Sequence, residues 1–260
     1  MTIAYDRVGD GAPLVLVHPL GADRHVWRPV ITVLGAEYDV IALDLPGFGE
    51  SPPLAGLTPT PRALAESVAE MLATHRIEQP HLAGISLGGW VALELGLIGV
   101  AGRVTAIAPA GLWAQPLEPK QSRAHRLARA FEPLIAPVAR TERGRRLLLS
   151  GSVAHPERIP ARDAVNLIRA YGRAPAFVAV NDAMRAGTFA ELHRIQCPVT
   201  LIWPDHDRLV ERPPSLPAHV RSVVLDDAGH LPTWDAPDAL AQLIVAAGRD
   251  LDAPIGTAPD

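Results

Sequence analysis

Short runs of Val, Ile and Leu alternate along most of the chain with stretches in which apolar residues recur at helical spacing. The runs Pro13–His18, Val40–Leu43, His81–Ile85, Val104–Ala108, Val199–Trp203 and Ser222–Leu225 predict strands that are buried on both faces. Helical patterns fall between them, near Val26–Leu34, Pro61–His75, Leu87–Leu97 and Asp235–Arg249. The second has a clear start, with Thr60 placed to cap and Pro61 at the first helical position. The last is expected to begin at Asp235 with Pro237 in its first turn. Strand and helix in this alternation specify the α/β class: a mostly parallel central sheet with helices on both faces.

Between Gly111 and Gly187 the alternation fails and helical patterns are broken by Pro116, Pro119, Pro133, Pro137, Pro156, Pro160 and Pro175. The expected organisation is therefore an α/β core from residues 1–111 and 188–250, a helical insertion over 112–187, and a frayed tail over 251–260.

Composition narrows the function classes. A chain of 260 residues that is 48% hydrophobic has ample material for one core. Net charge is −4, and no long block of like charge points to nucleic acid. Cys197 is the single cysteine, so it has no internal disulfide partner, and its place before a buried strand reads as core. The start of the chain carries no basic or apolar leader pattern, and no apolar run approaches the ~20 residues of a membrane span. The expectation is a soluble cytoplasmic protein with neither nucleic-acid nor membrane partners. Charge is uneven, however: within the insertion Lys120 and twelve arginines from Arg123 to Arg185 face six acids. Arg123, Arg126 and Arg129 recur at helical spacing, with Arg140, Arg143, Arg145 and Arg146 following. Two readings follow, a solvated face paired with acids of the core and an attraction for anionic substrates.

The candidate chemistry lies in His81-Leu82-Ala83-Gly84-Ile85-Ser86-Leu87-Gly88-Gly89-Trp90, a strand, a Gly-x-Ser-x-Gly turn and a helix start. A hydroxyl is almost wholly protonated at neutral pH, so a nucleophilic serine needs a base beside it and donors ahead of it. A sharp turn presents the oxygen to both. The N–H of Leu87, in the first helical turn, has no intrahelical partner and is free to meet an oxyanion. No histidine or acid cluster has ligand spacing, and the glycines fit neither a dinucleotide fingerprint nor a phosphate loop, so no metal or cofactor is expected.

These residues resemble the α/β-hydrolase fold family from about Ile3 to Ala247, interrupted by the insertion. Four further blocks carry the likeness. Pro13–Gly21 is similar to the strand and oxyanion loop, and Asp44-Leu45-Pro46-Gly47-Phe48-Gly49-Glu50-Ser51 to a turn of the same family. The third and fourth, Trp203–Val210 and Asp227–Pro232, are similar to the loops that carry the acid and the histidine. The order serine, aspartate, histidine is that of the family. The resemblance implies a triad of Ser86, Asp207 and His230, with an oxyanion hole from the N–H groups of Leu20 and Leu87. It also implies a cap formed by the insertion.

Two departures stand out. Pro19 replaces the usual glycine after His18 but leaves the Leu20 donor in place; Pro204 replaces a glycine in the acid loop and keeps Asp205 open beside Asp207. The spacing to Trp203 and the following Arg208-Leu209-Val210 match the family at Asp207, which is preferred. His18 is expected to hydrogen-bond within its loop, and Asp44 and Ser51 to hold a turn. Trp27, Trp90 and Trp113 are candidate pocket residues, with plain core as the other reading.

Serine at position 86 sets aside the dehalogenases and epoxide hydrolases of this fold, which use aspartate there. The resemblance implies hydrolysis of a small carboxylic ester or lactone through an acyl-enzyme, close to the enol-lactonases and small esterases. Carbon–carbon (dienoate) hydrolysis, thioester hydrolysis and perhydrolysis share the machinery, although the Gly-x-Gly-Pro-Gly loop usual in the first is absent. A binder of small molecules on the same fold is the reading from another class.

Overall fold

A computed structural model describes residues 2–119, 123–130 and 137–249. Seven strands form one sheet in the order β1-β3-β2-β4-β5-β6-β7. They are β1 Tyr5–Val8, β2 Ala12–Val17, β3 Tyr38–Leu43, β4 His81–Ile85, β5 Arg103–Ile107, β6 Val199–Pro204 and β7 Val220–Leu225. All neighbours pair in parallel except β1, which runs antiparallel to β3. Pattern reasoning missed β1 because it is a largely exposed edge strand, Tyr-Asp-Arg-Val, with no buried run to reveal it.

The pleat sorts the core into two layers. Val15, Val17, Ile41 and Leu43 pack on one face with helices α2 (Pro61–Thr74) and α3 (Leu87–Leu97). Leu14, Leu16, Val40 and Ala42 pack on the other with α1 (Arg28–Leu34) and the C-terminal helix. Burial of one such Val or Leu side chain stabilises the fold by about 1.5–3 kcal/mol. Helix α3 is buried along nearly its whole length, so its sequence shows no amphipathic stripe.

Two helix boundaries differ from the pattern. Residues Arg24–Trp27 form a 3-10 turn, capped by Asp23, and α1 follows from Arg28 with Pro29 in its first turn. The helix expected from Asp235 starts at Pro237 instead, because Asp235 ends a one-turn helix over Pro232–Asp235 and a break at Ala236 (φ −137°, ψ 60°) separates the two. Pro237 disfavours helical backbone at the residue before it, which forces that break.

Between β5 and β6 the described residues form, among others, α4 (Arg123–Ala130), α5 (Glu142–Leu149), α6 (Ala161–Arg173) and α7 (Phe177–Arg185). These inserted helices have a small core of their own, containing Ala139, Leu149, Val153, Ile159, Ala164, Val165 and Ile168. Trp234, from the one-turn helix α8 (Pro232–Asp235), completes it; α9 (Pro237–Arg249) closes the chain. Pro156 opens a 3-10 turn, Pro160 precedes α6, and Pro175 separates α6 from α7. Lys120, Pro133 and the tail over 251–260 lie outside the described residues.

Candidate active site

Ser86 joins β4 to α3 with φ 54° and ψ −114°, a left-handed region that a residue with a side chain occupies only when its surroundings hold it there. Its N–H donates to Ile107 O at 2.9 Å, and its carbonyl accepts from Trp90 and Ala110, each at 3.0 Å. Close packing requires both flanking glycines. A Cβ on Gly84 would overlap the carbonyl of Gly88, and one on Gly88 would overlap that of Val17 and stand 2.7 Å from His18 O. The first turn of α3, with the Leu87 N–H, is thereby pressed against the end of β2.

The loop after β2 turns at Pro19-Leu20-Gly21-Ala22, where Ala22 N–H donates to Pro19 O at 3.2 Å and Gly21 has φ 76°. Leu20 stands inside this turn, and its N–H is not the one that closes it. His18 is wholly buried: its Nε2 accepts the Leu45 N–H at 2.9 Å and its Nδ1 lies 2.8 Å from Pro19 O. These partners assign the neutral tautomer with the proton on Nδ1. Burial pushes this imidazole below its ordinary pKa. Asp44 accepts from the backbone N–H groups of Arg24 and Glu50, and Ser51 Oγ donates to Asp44 O at 2.8 Å, so both hold the β3 loop.

Asp207 and His230 meet across the ends of β6 and β7. His230 Nδ1 is 2.8 Å from Asp207 Oδ2, and the side chains are only 7% and 3% exposed. The other carboxylate oxygen accepts from Leu209 and Val210 at 2.7 and 3.2 Å. Asp205 takes a different partner, the Ala228 N–H, at 3.2 Å. The structure thus pairs Asp207, not Asp205, with the histidine. A buried carboxylate at Nδ1 holds the Nδ1–H tautomer and leaves Nε2 as the basic nitrogen.

The three tryptophans separate. Trp27 has no exposed surface and packs in the layer with Leu14, Leu16 and Val30, the core position that was its other reading. Trp90 and Trp113 meet edge to face at 5.9 Å; Trp90 Nε1 donates to Glu94 and Trp113 Nε1 to Gly187 O. The pair joins α3, which carries Trp90, through Trp113 to Gly187 after the last inserted helix. Cys197 is half-buried, and burial pushes its thiol pKa upward, away from the reactive thiolate.

Two features were not read from the sequence. His125, Tyr171 and Phe177 form an aromatic cluster on the inserted helices, with His125 stacked on Phe177 at 4.4 Å. The cluster sits on the Leu20 turn, since a Cβ on Gly21 would lie 2.6 Å from the Tyr171 ring and 3.0 Å from Phe177. The second is Asp235, whose buried carboxylate accepts backbone N–H groups from Gly229 nearby and from Ala154 and His155 some eighty residues earlier. Neither has a local signal, because each depends on residues far apart in the chain.

Several arginines of the insertion have structural partners. Arg145 donates to carbonyls of Arg140, Pro156 and Glu157, Arg146 pairs with Glu142 and Glu157, Arg158 with Asp227, and Arg185 holds the Glu118 carbonyl. Arg126 and Arg129 are exposed on α4; the side chain of Arg123 lies outside the described residues. Among the described residues, no three His, Cys, Asp or Glu side chains gather as a metal site, and no helix is long and apolar enough to cross a membrane.

Comparison with known proteins gives a concordant result. A family model described as the alpha/beta hydrolase family matches residues 14–243. The pimeloyl-[acyl-carrier protein] methyl ester esterase of Aeromonas hydrophila is 42% identical over 97 residues, which are 37% of this chain and 37% of that protein. The match therefore spans little more than a third of that relative's length. Epoxide hydrolase EphH of Mycobacterium tuberculosis is 33% identical over 201 residues, 70% of this chain and 92% of that protein. Among solved structures, the enol-lactonase from Burkholderia xenovorans superposes with a TM-score of 0.72 at 22% identity, covering 95% of this chain and 96% of that one.

Proposed function

The chain belongs to the alpha/beta hydrolase family, and from that premise we propose that it hydrolyses a small carboxylic ester or lactone through an acyl-enzyme on Ser86. One observation carries the reading: a serine occupies the left-handed turn at the head of α3, in a chain whose buried Asp207–His230 pair is built to leave a basic Nε2.

In this mechanism Ser86 Oγ attacks the substrate carbonyl carbon while its proton passes to His230 Nε2. The carbonyl oxygen becomes an oxyanion that accepts the N–H groups of Leu20 and Leu87. Collapse breaks the bond to the leaving oxygen, which takes the proton from His230. Water then attacks the acyl-enzyme through the same base and releases the acid and the free serine. Asp207 stabilises the imidazolium formed in each half. The insertion over residues 112–187 acts as a cap that excludes water and shapes the pocket through Tyr171 and Phe177 above the Leu20 turn. Its positive balance supports a substrate that bears a carboxylate.

The relative named as a methyl ester esterase supports ester chemistry. Epoxide opening is disfavoured by Ser86 itself: an alkoxide would leave an ether that water does not cleave, whereas a carboxylate nucleophile leaves a hydrolysable ester. The test is turnover of a panel of short-chain aryl esters and small lactones by the wild type and by Ser86→Ala. Turnover that falls by about 10⁴-fold or more in Ser86→Ala is expected. No turnover by the wild type, or turnover unchanged in the variant, would overturn the proposal and favour a binder.

A further inference from the structure

We infer that Asp235 is a positioning residue that fixes His230 to the inserted helices, an assignment that rests on the serine-hydrolase reading above. Asp235 is 4% exposed, and its carboxylate accepts three backbone N–H groups. Oδ2 receives Gly229 at 2.8 Å and Ala154 at 2.9 Å, and Oδ1 receives His155 at 2.8 Å. Hydrogen bonds to an ionised acceptor are the strong class, and a carboxylate offers acceptor sites enough for all three. One side chain thus joins the residue immediately before His230 to a loop of the insertion some eighty residues distant in sequence.

The residue after His230 is tied to the same loop. Leu231 N–H donates to Ser152 O at 2.8 Å. The backbones are in direct contact, since a Cβ on Gly229 would lie 2.7 Å from Ala154 N and 3.0 Å from the Val153 carbonyl carbon. The one-turn helix that carries Asp235 also sends Trp234 into the core of the insertion, beside Val153 and Ile159. Arg158, from the insertion, donates back to the Asp235 carbonyl at 3.0 Å. His230 is therefore tied to residues 152–155 on both sides, through the Asp235 carboxylate shared by Gly229, Ala154 and His155 on one side and by the direct Leu231–Ser152 bond on the other. General-base catalysis is sensitive to displacement of the base by a fraction of an ångström to one ångström. The carboxylate does not itself touch the reacting atoms, so its effect on rate acts through His230.

Asp235→Asn keeps the shape but turns an amide N–H₂ toward donors that need an acceptor. The comparison variant is Thr60→Ala, which removes the α2 N-cap and destabilises the fold away from the site. Each protein is assayed on an aryl ester that the wild type cleaves, normalised to folded protein, and the proton NMR resonance of the His230 Nδ1–H bonded to Asp207 is recorded. Asp235→Asn is expected to lower kcat by tenfold or more with KM within about threefold, and to shift or broaden that resonance, while Thr60→Ala changes neither. Unchanged kcat and an unmoved resonance in Asp235→Asn would overturn the inference and leave Asp235 a fold-stabilising residue. Should Asp235→Asn fail to fold, Trp234→Phe loosens the same turn with the carboxylate intact; a fall in kcat of threefold or more with a moved resonance supports the inference, and no change in either overturns it. If the wild type cleaves no ester, the hydrolase reading fails by itself, and the His230 resonance still decides the positioning role: moved supports it, unmoved overturns it.

Discussion

Nδ1 of His230 lies 2.8 Å from Oδ2 of Asp207, while Asp205, two residues earlier, turns its carboxylate to the Ala228 N–H. The two aspartates therefore have separable effects. Asp207→Asn removes the anion that stabilises the imidazolium and favours the wrong tautomer, so kcat/KM on a cleaved ester is expected to fall by about 10³–10⁴. Asp205→Asn keeps an oxygen for Ala228 and is expected to lose less than about tenfold. Steady-state kinetics of both variants check this, and a larger loss for Asp205→Asn would reverse the assignment.

The closeness of α3 to the end of β2 makes a second prediction. Alanine at Gly88 puts a methyl group onto the carbonyls of Val17 and His18, which are backbone and have no rotamer to yield. Gly88→Ala is expected to lower stability by about 3 kcal/mol or more, at the upper end of overpacking costs. Nothing lies within 4 Å of a Cβ at Gly151, so Gly151→Ala is expected to stay within about 0.5 kcal/mol of the wild type. Urea denaturation of the two variants would show the contrast; equal stabilities would refute the packing argument.

A third prediction concerns pH. His81 is buried on β4, with Nε2 2.8 Å from Thr105 Oγ1, and desolvation, helped by Arg103, lowers its pKa from 6.5 to about 4. The unfolded chain takes up this proton more readily than the folded one. The stability held above pH 6.5 is therefore lost as pH falls through 6.5 toward 4, by about 3 kcal/mol at 1.36 kcal/mol per pKa unit. Buried His18 acts in the same direction. Urea midpoints at pH 7.5, 6 and 5 are expected to fall in that order, and His81→Gln, which retains a partner for Thr105, is expected to flatten the slope. A slope identical to the wild type's would exclude His81 as a source.

Much of the architecture was legible because its signals are local. The apolar runs of β2 to β7 announce a sheet buried on both faces, and the spans of β4 and α3 coincide with the pattern end to end. Strand β1 was not legible, since an exposed edge strand needs no apolar run. The expected start at Asp235 was two residues early, since Asp235 closes a one-turn helix of its own and the long helix starts at Pro237.

The α/β class, the interruption after β5 and the strand-turn-helix that carries Ser86 are all written in the periodicity or the glycine spacing of consecutive residues. Packing of the whole chain was needed to separate Asp207 from Asp205 as the partner of His230, to bury Trp27 in the core layer, and to join the His230 loop to the insertion through Asp235. The difference lies in the range of the interactions. Periodicity and turn geometry act between neighbours in the chain, whereas a carboxylate's partner is set by which backbone donors and imidazoles the packed strands and helices bring within about 3 Å of it.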